Sequence, residues 1–355
     1  MLDSTRRRVL KATGAGGATA VAGCVGDEES TNDPESTSTN TDSRPAGTDA
    51  ERVAADPTDV PDPVDWDDPR RHEVTLRTEE VRAEVEPGVT FDFMTFDGRI
   101  PGPMIRVRQG DTVALTLENP PESNMPHNVD LHAVYGSGGG AIATSAAPGE
   151  EAKMEFEATY PGAYIYHCAV DNLDYHISSG MFGMILVEPE EGLPEVDREF
   201  YLGQHEIYTD GAVGEGGKHG FNFQAMKHED PTYVVFNGEK FALTPDRDGA
   251  MQAETGETAR VYLATGGPNL PSYFHPIGNV WSKAWPNGAV AGDPDRYAQT
   301  MTVPPGSCFV GEMEFPVAET VKLVDHALSR VARKGLMAAI AVEGEDDPGV
   351  FDPDP

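Results

Sequence analysis

Three segments of the chain occur twice, in the same order. Gln109-Gly-Asp-Thr-Val-Ala-Leu-Thr-Leu117 returns as Thr255-Gly-Glu-Thr-Ala-Arg-Val-Tyr-Leu263, and Met125-Pro-His-Asn-Val129 returns as Tyr273-Phe-His-Pro-Ile277. Gly180-Met-Phe-Gly-Met-Ile-Leu-Val-Glu-Pro189 returns as Gly335-Leu-Met-Ala-Ala-Ile-Ala-Val-Glu-Gly344. Repetition on this scale restricts the chain to two copies of one fold. Within each copy the runs are short, alternate in polarity and end at turn signals such as Phe96-Asp-Gly, Gln109-Gly-Asp and Phe236-Asn-Gly, a pattern of strands rather than helices. The frequent Gly (38) and Pro (29) agree with it. The reading is all-β, two tandem Greek-key sandwiches spanning residues 67–190 and 195–345, with an acidic tail over 346–355. The mixed stretch 209–230 is expected to be a loop or short helix.

The first 66 residues read differently. Arg6, Arg7, Arg8 and Lys11 precede a short Gly/Ala-rich apolar run that ends in Val21-Ala-Gly-Cys24. This resembles a twin-arginine export signal (1–23) followed by a lipobox, with Cys24 lipidated at the outer face of the cytoplasmic membrane; an ordinary cleaved signal with an incidental Cys is the alternative. Residues 24–66, rich in Ser, Thr, Asp, Glu and Pro, are expected to form a disordered tether. The chain carries a net charge of −34, and the signal contributes +3, so the remainder stands at −37. That excess excludes nucleic acid as a partner and leaves a lipid anchor as the one means of holding a membrane. Spread evenly, it suits a halophilic setting in which salt screens self-repulsion. Besides Cys24 there are only Cys168 and Cys308, too few for a disulfide framework; Cys308 reads as a buried thiol.

The two copies differ where chemistry begins. The first has Tyr166-His-Cys168, then His176 and Met181; the second has Val324-Asp-His326. A Cys beside a Met is usually packing, but a thiolate, imidazoles and a thioether on one loop between strands form the ligand set that holds copper for one-electron transfer. Strand parity then sorts the histidines. His167 and Cys168 are adjacent and point to opposite faces, and His127 and His132 are an odd number apart. Pairing His127 with Cys168 completes one site with His176 and Met181. Pairing His132 with His167 leaves a second site one ligand short, with Asp130 on its face and an open position for a small anion or water. His275 and His326 of the second copy are the available partners, and a ring of chains would bring His326 to a neighbour's second site. Hydrogen-bonded structural histidines are the alternative for these two. His72, His205, His219 and His228 lack repeat partners and read as surface or capping residues.

From His72 to Gly344 the chain resembles the copper-containing nitrite reductases, a two-cupredoxin-domain family. The motifs that carry the resemblance are Met125-Pro-His-Asn-Val-Asp-Leu-His132, Tyr166-His-Cys168, His176 through Met181, Ser272-Tyr-Phe-His-Pro-Ile277 and Leu323-Val-Asp-His326. The resemblance implies type 1 copper at His127, Cys168, His176 and Met181. It implies type 2 copper at His132 and His167, with His326 from a neighbouring subunit of a homotrimer. It further implies Asp130 and His275 as the groups that bind substrate and relay protons, and Ile277 as an apolar residue over the type 2 metal. Nitrite is then the substrate of a dissimilatory reduction to nitric oxide, and the electron donor is a small blue-copper or cytochrome protein. Ala169-Val170 departs from the family's proline-containing segment after the Cys.

Two other functions compete. A two-domain multicopper oxidase needs repeated His-x-His pairs, and the sequence contains none. An exported blue-copper carrier without catalysis explains Cys168 and its partners but gives no role to Asp130, His132, His275 and His326.

Overall fold

The computed structural model describes residues 52–245, 247 and 251–352, all within one compact unit. The signal sequence, Cys24 and the tether as far as residue 51 lie outside the described residues.

The first copy supplies β1 (Arg71–Glu86), β2 (Val89–Phe96), β3 (Ile105–Arg108), β4 (Thr112–Asn119), β5 (Asp130–Leu131), β6 (Glu150–Glu157), β7 (Gly162–His167), the short helix α1 (Leu173–Ser178) and β8 (Phe182–Glu188). The second supplies β9 (Arg198–Ile207), β10 (Gly217–Lys218), α2 (Phe223–Lys227), β11 (Tyr233–Phe236), β12 (Met251–Glu254), β13 (Thr258–Gly267), β14 (Ser272–Ile277), β15 (Trp281–Trp285), β16 (Asp295–Ala298), β17 (Met301–Val303), β18 (Ser307–Glu314), β19 (Glu319–Asp325), α3 (Ser329–Lys334) and β20 (Met337–Glu343). Each copy is a sandwich of two sheets. The first has the orders β10-β2-β1-β4-β6 and β3-β8-β7-β5; the second has β11-β9-β13-β18-β15-β16 and β12-β20-β19-β14-β17.

Register shows the duplication directly. β1 runs parallel to β4 as β9 does to β13, and β3 runs parallel to β8 as β12 does to β20. β7 lies antiparallel between β5 and β8 as β19 lies between β14 and β20. The repeated Gln109 and Thr255 segments therefore lead into equivalent strands. The hairpin turns agree too, because Asp97-Gly98 and Asn237-Gly238 all take positive φ, the conformation that Asn/Asp-Gly pairs adopt at least cost.

Each sandwich has its own apolar core, and a third core lies between them. Leu115, Leu131, Tyr166, Cys168, Ile185 and Val187 belong to the first sandwich. Ala163, Ile165, Phe182, Met184 and Leu186 instead join Tyr201, Tyr262 and Val310 of the second copy. β8 is consequently buried on both faces, which explains why Phe182-Gly-Met-Ile-Leu-Val is continuously apolar. Alongside this shared core, Arg106 bonds Glu188 at 2.5 Å and Glu199 at 2.7 Å, and Arg260 bonds Glu199 at 3.0 Å and Glu312 at 2.6 Å. Lys283 closes the cluster on Glu312 at 2.5 Å. Burial alone would raise the Glu199 carboxyl; hydrogen bonds from Arg106 and Tyr262, with both guanidinium charges, hold it below the usual range.

Two expectations change here. The expected tether runs through residue 66, yet from 52 onward the chain is anchored: Val53 and Ala55 are buried, the main chain of 53–55 bonds Ile100, and the Trp66 indole donates to Asp111. Polar composition concealed a short segment that uses the body's own polar groups as partners. The sequence pattern predicts a plain loop between Cys168 and Met181, but α1 forms in it and carries His176.

Candidate metal centres

Strand β7 decides the geometry. Along it, Ala163, Ile165 and His167 turn toward the second sandwich while Tyr164, Tyr166 and, just beyond its end, Cys168 turn into the first sandwich's core. Adjacent ligands thus enter different environments, as parity requires.

On the core side, Cys168 is fully buried and its Sγ lies 3.7 Å from His127 Nδ1. The ligand atoms of His127, Cys168 and His176 all lie within 4.8 Å of one another. His127 is brought there by an isolated bridge to Ala146, and His176 by α1. The His176 Nδ1 is buried and has no hydrogen-bond partner among the described residues, as expected of an atom kept for a metal. Met181 is fully buried, and its carbonyl accepts from the Cys168 N–H at 3.1 Å while its own N–H donates to the His176 carbonyl at 3.1 Å. Main-chain bonds therefore tie three of the four residues together. Burial lowers both imidazoles to about 4, and it raises the Cys168 thiol. Neutral imidazoles offer lone pairs, and the thiol gives up its proton only to a metal. The donor set fits copper of the trigonal His₂Cys type with Met181 nearby.

On the other side, His132 Nε2 stands 3.1 Å from His167 Nε2, and an Asp130 carboxylate oxygen falls within the same 4.8 Å group. The His167 Nδ1–H donates to the Cys168 carbonyl at 3.0 Å, which fixes the tautomer and leaves Nε2 for a metal. Burial lowers the His167 pKa, and His132 adds to the effect. Asp130 is directly opposite His167 on paired strands. Two imidazoles with a carboxylate beside them fit a metal site that lacks one protein ligand.

His275 and His326 do not join that group within one chain. They sit together on the second sandwich, ring centroids 5.1 Å apart, on β14 and at the end of β19. The His275 Nδ1–H donates to the Gln299 carbonyl at 2.7 Å, so Nε2 remains available. Ile277, two residues along β14 from His275, is 41% exposed.

The remaining histidines correct the sequence reading in part. His228 caps the end of α2, and His72 bonds Asp111 at 2.8 Å. His205 and His219 are buried, not superficial. The segment carrying His219 crosses to the first sandwich, where β10 pairs with β2 and the Phe221 ring lies 4.5 Å from Tyr175 beside His176.

A family model described as multicopper oxidase matches residues 77–192, the first sandwich. The chain is 44% identical over 293 residues to the copper-containing nitrite reductase of Neisseria meningitidis serogroup B, covering 82% of this chain and 74% of that one. The chain belongs to the copper-containing nitrite reductases. The enzyme of that name from Cereibacter sphaeroides is 35% identical, with 78% and 77% of the two chains covered. Among solved structures, the copper nitrite reductase from Nitrosomonas europaea superposes with a TM-score of 0.70 at 34% identity, covering 78% of this chain and 96% of that one. Family membership favours the reductase over the blue-copper carrier and the oxidase.

Proposed function

We propose that the chain catalyses the one-electron reduction of nitrite, NO₂⁻ + 2H⁺ + e⁻ → NO + H₂O, with type 1 copper at His127, Cys168, His176 and Met181 and type 2 copper at His132 and His167. Copper, when bound, supplies electron transfer at the first site and Lewis-acid binding of nitrite at the second. The observation that carries the reading is the single peptide between His167 and Cys168, which joins by covalent bonds two ligand groups, one wholly buried and one partly open to solvent.

The chain's own groups perform the proton chemistry. Asp130, within the second ligand group, delivers a proton to the leaving oxygen. His275, fixed by Gln299, uses Nε2 to hold a water and support the second transfer. Since His275 and His326 stand apart from His132 and His167 in one chain, a neighbouring chain of a homotrimer completes the site through a heterologous contact. Exposed apolar residues support such a contact: Tyr135, Ile142 and Tyr160 on the first sandwich, Ile277, Tyr297 and Leu328 on the second. A small blue-copper or cytochrome protein donates the electron. Export by the twin-arginine signal and lipidation of Cys24 place the enzyme on the outer face of the membrane.

Nitric oxide release from nitrite with a reduced artificial donor, combined with copper counting and spin resonance, tests the reading. Two distinct coppers per chain and nitrite-dependent nitric oxide are expected. One copper and no nitric oxide would leave only an electron carrier.

A further inference from the structure

His205, in the middle of β9, is completely buried, and its environment is mainly hydrocarbon. Phe182 lies 5.5 Å from it, ring to ring, and Val235 is opposite it on β11. The Nδ1–H donates to the Ser178 carbonyl at 3.0 Å, and Nε2 has no partner among the described residues. An apolar side chain would occupy this place without leaving a buried nitrogen unpaired. The one polar interaction that the ring makes therefore identifies what it does.

Ser178 ends α1, two residues after His176 and three before Met181. Its hydroxyl is also held by the second sandwich, donating to the Glu206 carbonyl at 2.7 Å. Adjacent residues of β9 thus grip the carbonyl and the hydroxyl of the same serine. Ser179 adds a third tie, its carbonyl accepting from the Met94 N–H at 2.9 Å. Between two candidate copper ligands the loop is thus held both by β2 of its own sandwich and by β9 of the second.

We propose that His205 is a positioning residue for the type 1 copper, through which the second sandwich sets the placement of His176 and Met181. This rests on the copper assignment above. The second copy, which lost the thiolate, then still serves the first copy's metal. Hydrogen bonds that orient metal ligands are typically worth about 10–100-fold in metal affinity, and the effect here is expected near the lower end because it acts through the loop backbone.

The test compares copper-loaded wild type with His205→Leu and His205→Asn, the latter keeping an amide N–H near the position of Nδ1. Visible absorption, the spin-resonance signature, the midpoint potential and copper release to a chelator are measured. His205→Leu is expected to shift the thiolate-to-copper band ratio and the potential, and to release type 1 copper about ten-fold faster, with type 2 signals unchanged. His205→Asn should restore all three. Wild-type behaviour of the Leu variant, or equal impairment of both variants, overturns the proposal. If the Leu variant does not fold, His205→Val replaces it, and an impaired but folded His205→Asn is by itself a refutation. A wild type without a blue thiolate band would instead refute the copper assignment.

Discussion

Asp130 and His167 are directly opposed on the antiparallel pair β5–β7, so the carboxylate and the imidazole of the second ligand group share one face by register alone. Loop conformation is not needed to bring them together. Asp130→Asn should keep both coppers and lower turnover by about 10²–10⁴-fold, the usual worth of a positioned general acid. Near-normal nitric oxide production from that variant would remove Asp130 from the proton path.

The separation of His326 from His132 and His167 within one chain can be tested by mixing. His132→Ala and His326→Ala should each be inactive at the second site while keeping the blue centre. Co-expressed, they should regain activity, because about a quarter of the contacts in random trimers would pair one chain's intact His132 with the other's intact His326. No recovery in verified mixed trimers would place the third ligand elsewhere.

Gly139 guards the Asp130 carboxylate. Its φ is +56°, and a Cβ there would overlap the Asp130 carboxylate and come within 2.9 Å of the Leu131 carbonyl. Gly139→Ala should therefore displace Asp130 and reduce kcat at unchanged copper content, with a stability cost of about 1 kcal/mol from the left-handed backbone. An unchanged pH–rate profile would show that the carboxylate had not moved.

His205 also predicts an acid limb. Burial lowers it from the ordinary 6.5 to about 4. Between those values the unfolded chain binds a proton that the folded chain refuses, so folding stability is intact above about pH 6.5 and falls as the pH drops toward 4. The loss amounts to about 3 kcal/mol. Denaturant melts of wild type and His205→Asn should converge over this window, wild type losing more; a pH-independent difference would exclude the linkage.

The charge of −34 predicts salt dependence. Exposed carboxylates repel one another most when the screening length is long, so the melting temperature should rise steadily from about 0.01 M to 1 M salt. A flat profile would argue against adaptation to brine.

Much of the site was legible because strand geometry is periodic. Once His167 and Cys168 fell on a strand, their opposite orientation followed, and the same period set Asp130 on the face of His132. What stayed hidden depends on contacts between the copies. His205 and His219 follow no repeat, and their burial comes from neighbours distant in sequence. The run Phe182 to Val187 signals a strand buried on both faces but not what covers each face. Helix α1 has only six residues, too few to show a period. The segment from Val53 to Trp66 has the composition of a linker and was ordered by hydrogen bonds that composition does not report.

The charged cluster between the sandwiches bears on how such an acidic enzyme responds to dilution. Arg106, Arg260 and Lys283 cancel Glu188, Glu199 and Glu312, and Arg106, Arg260, Glu188 and Glu312 are almost wholly enclosed. Ions in solution have little to screen there. Desalting should loosen the outer surfaces and the seams of the proposed trimer before it separates the two halves of one chain. An enzyme silenced by fresh water would then keep the proposed blue centre assembled and regain activity on re-salting by reassociation of the proposed trimer, without refolding.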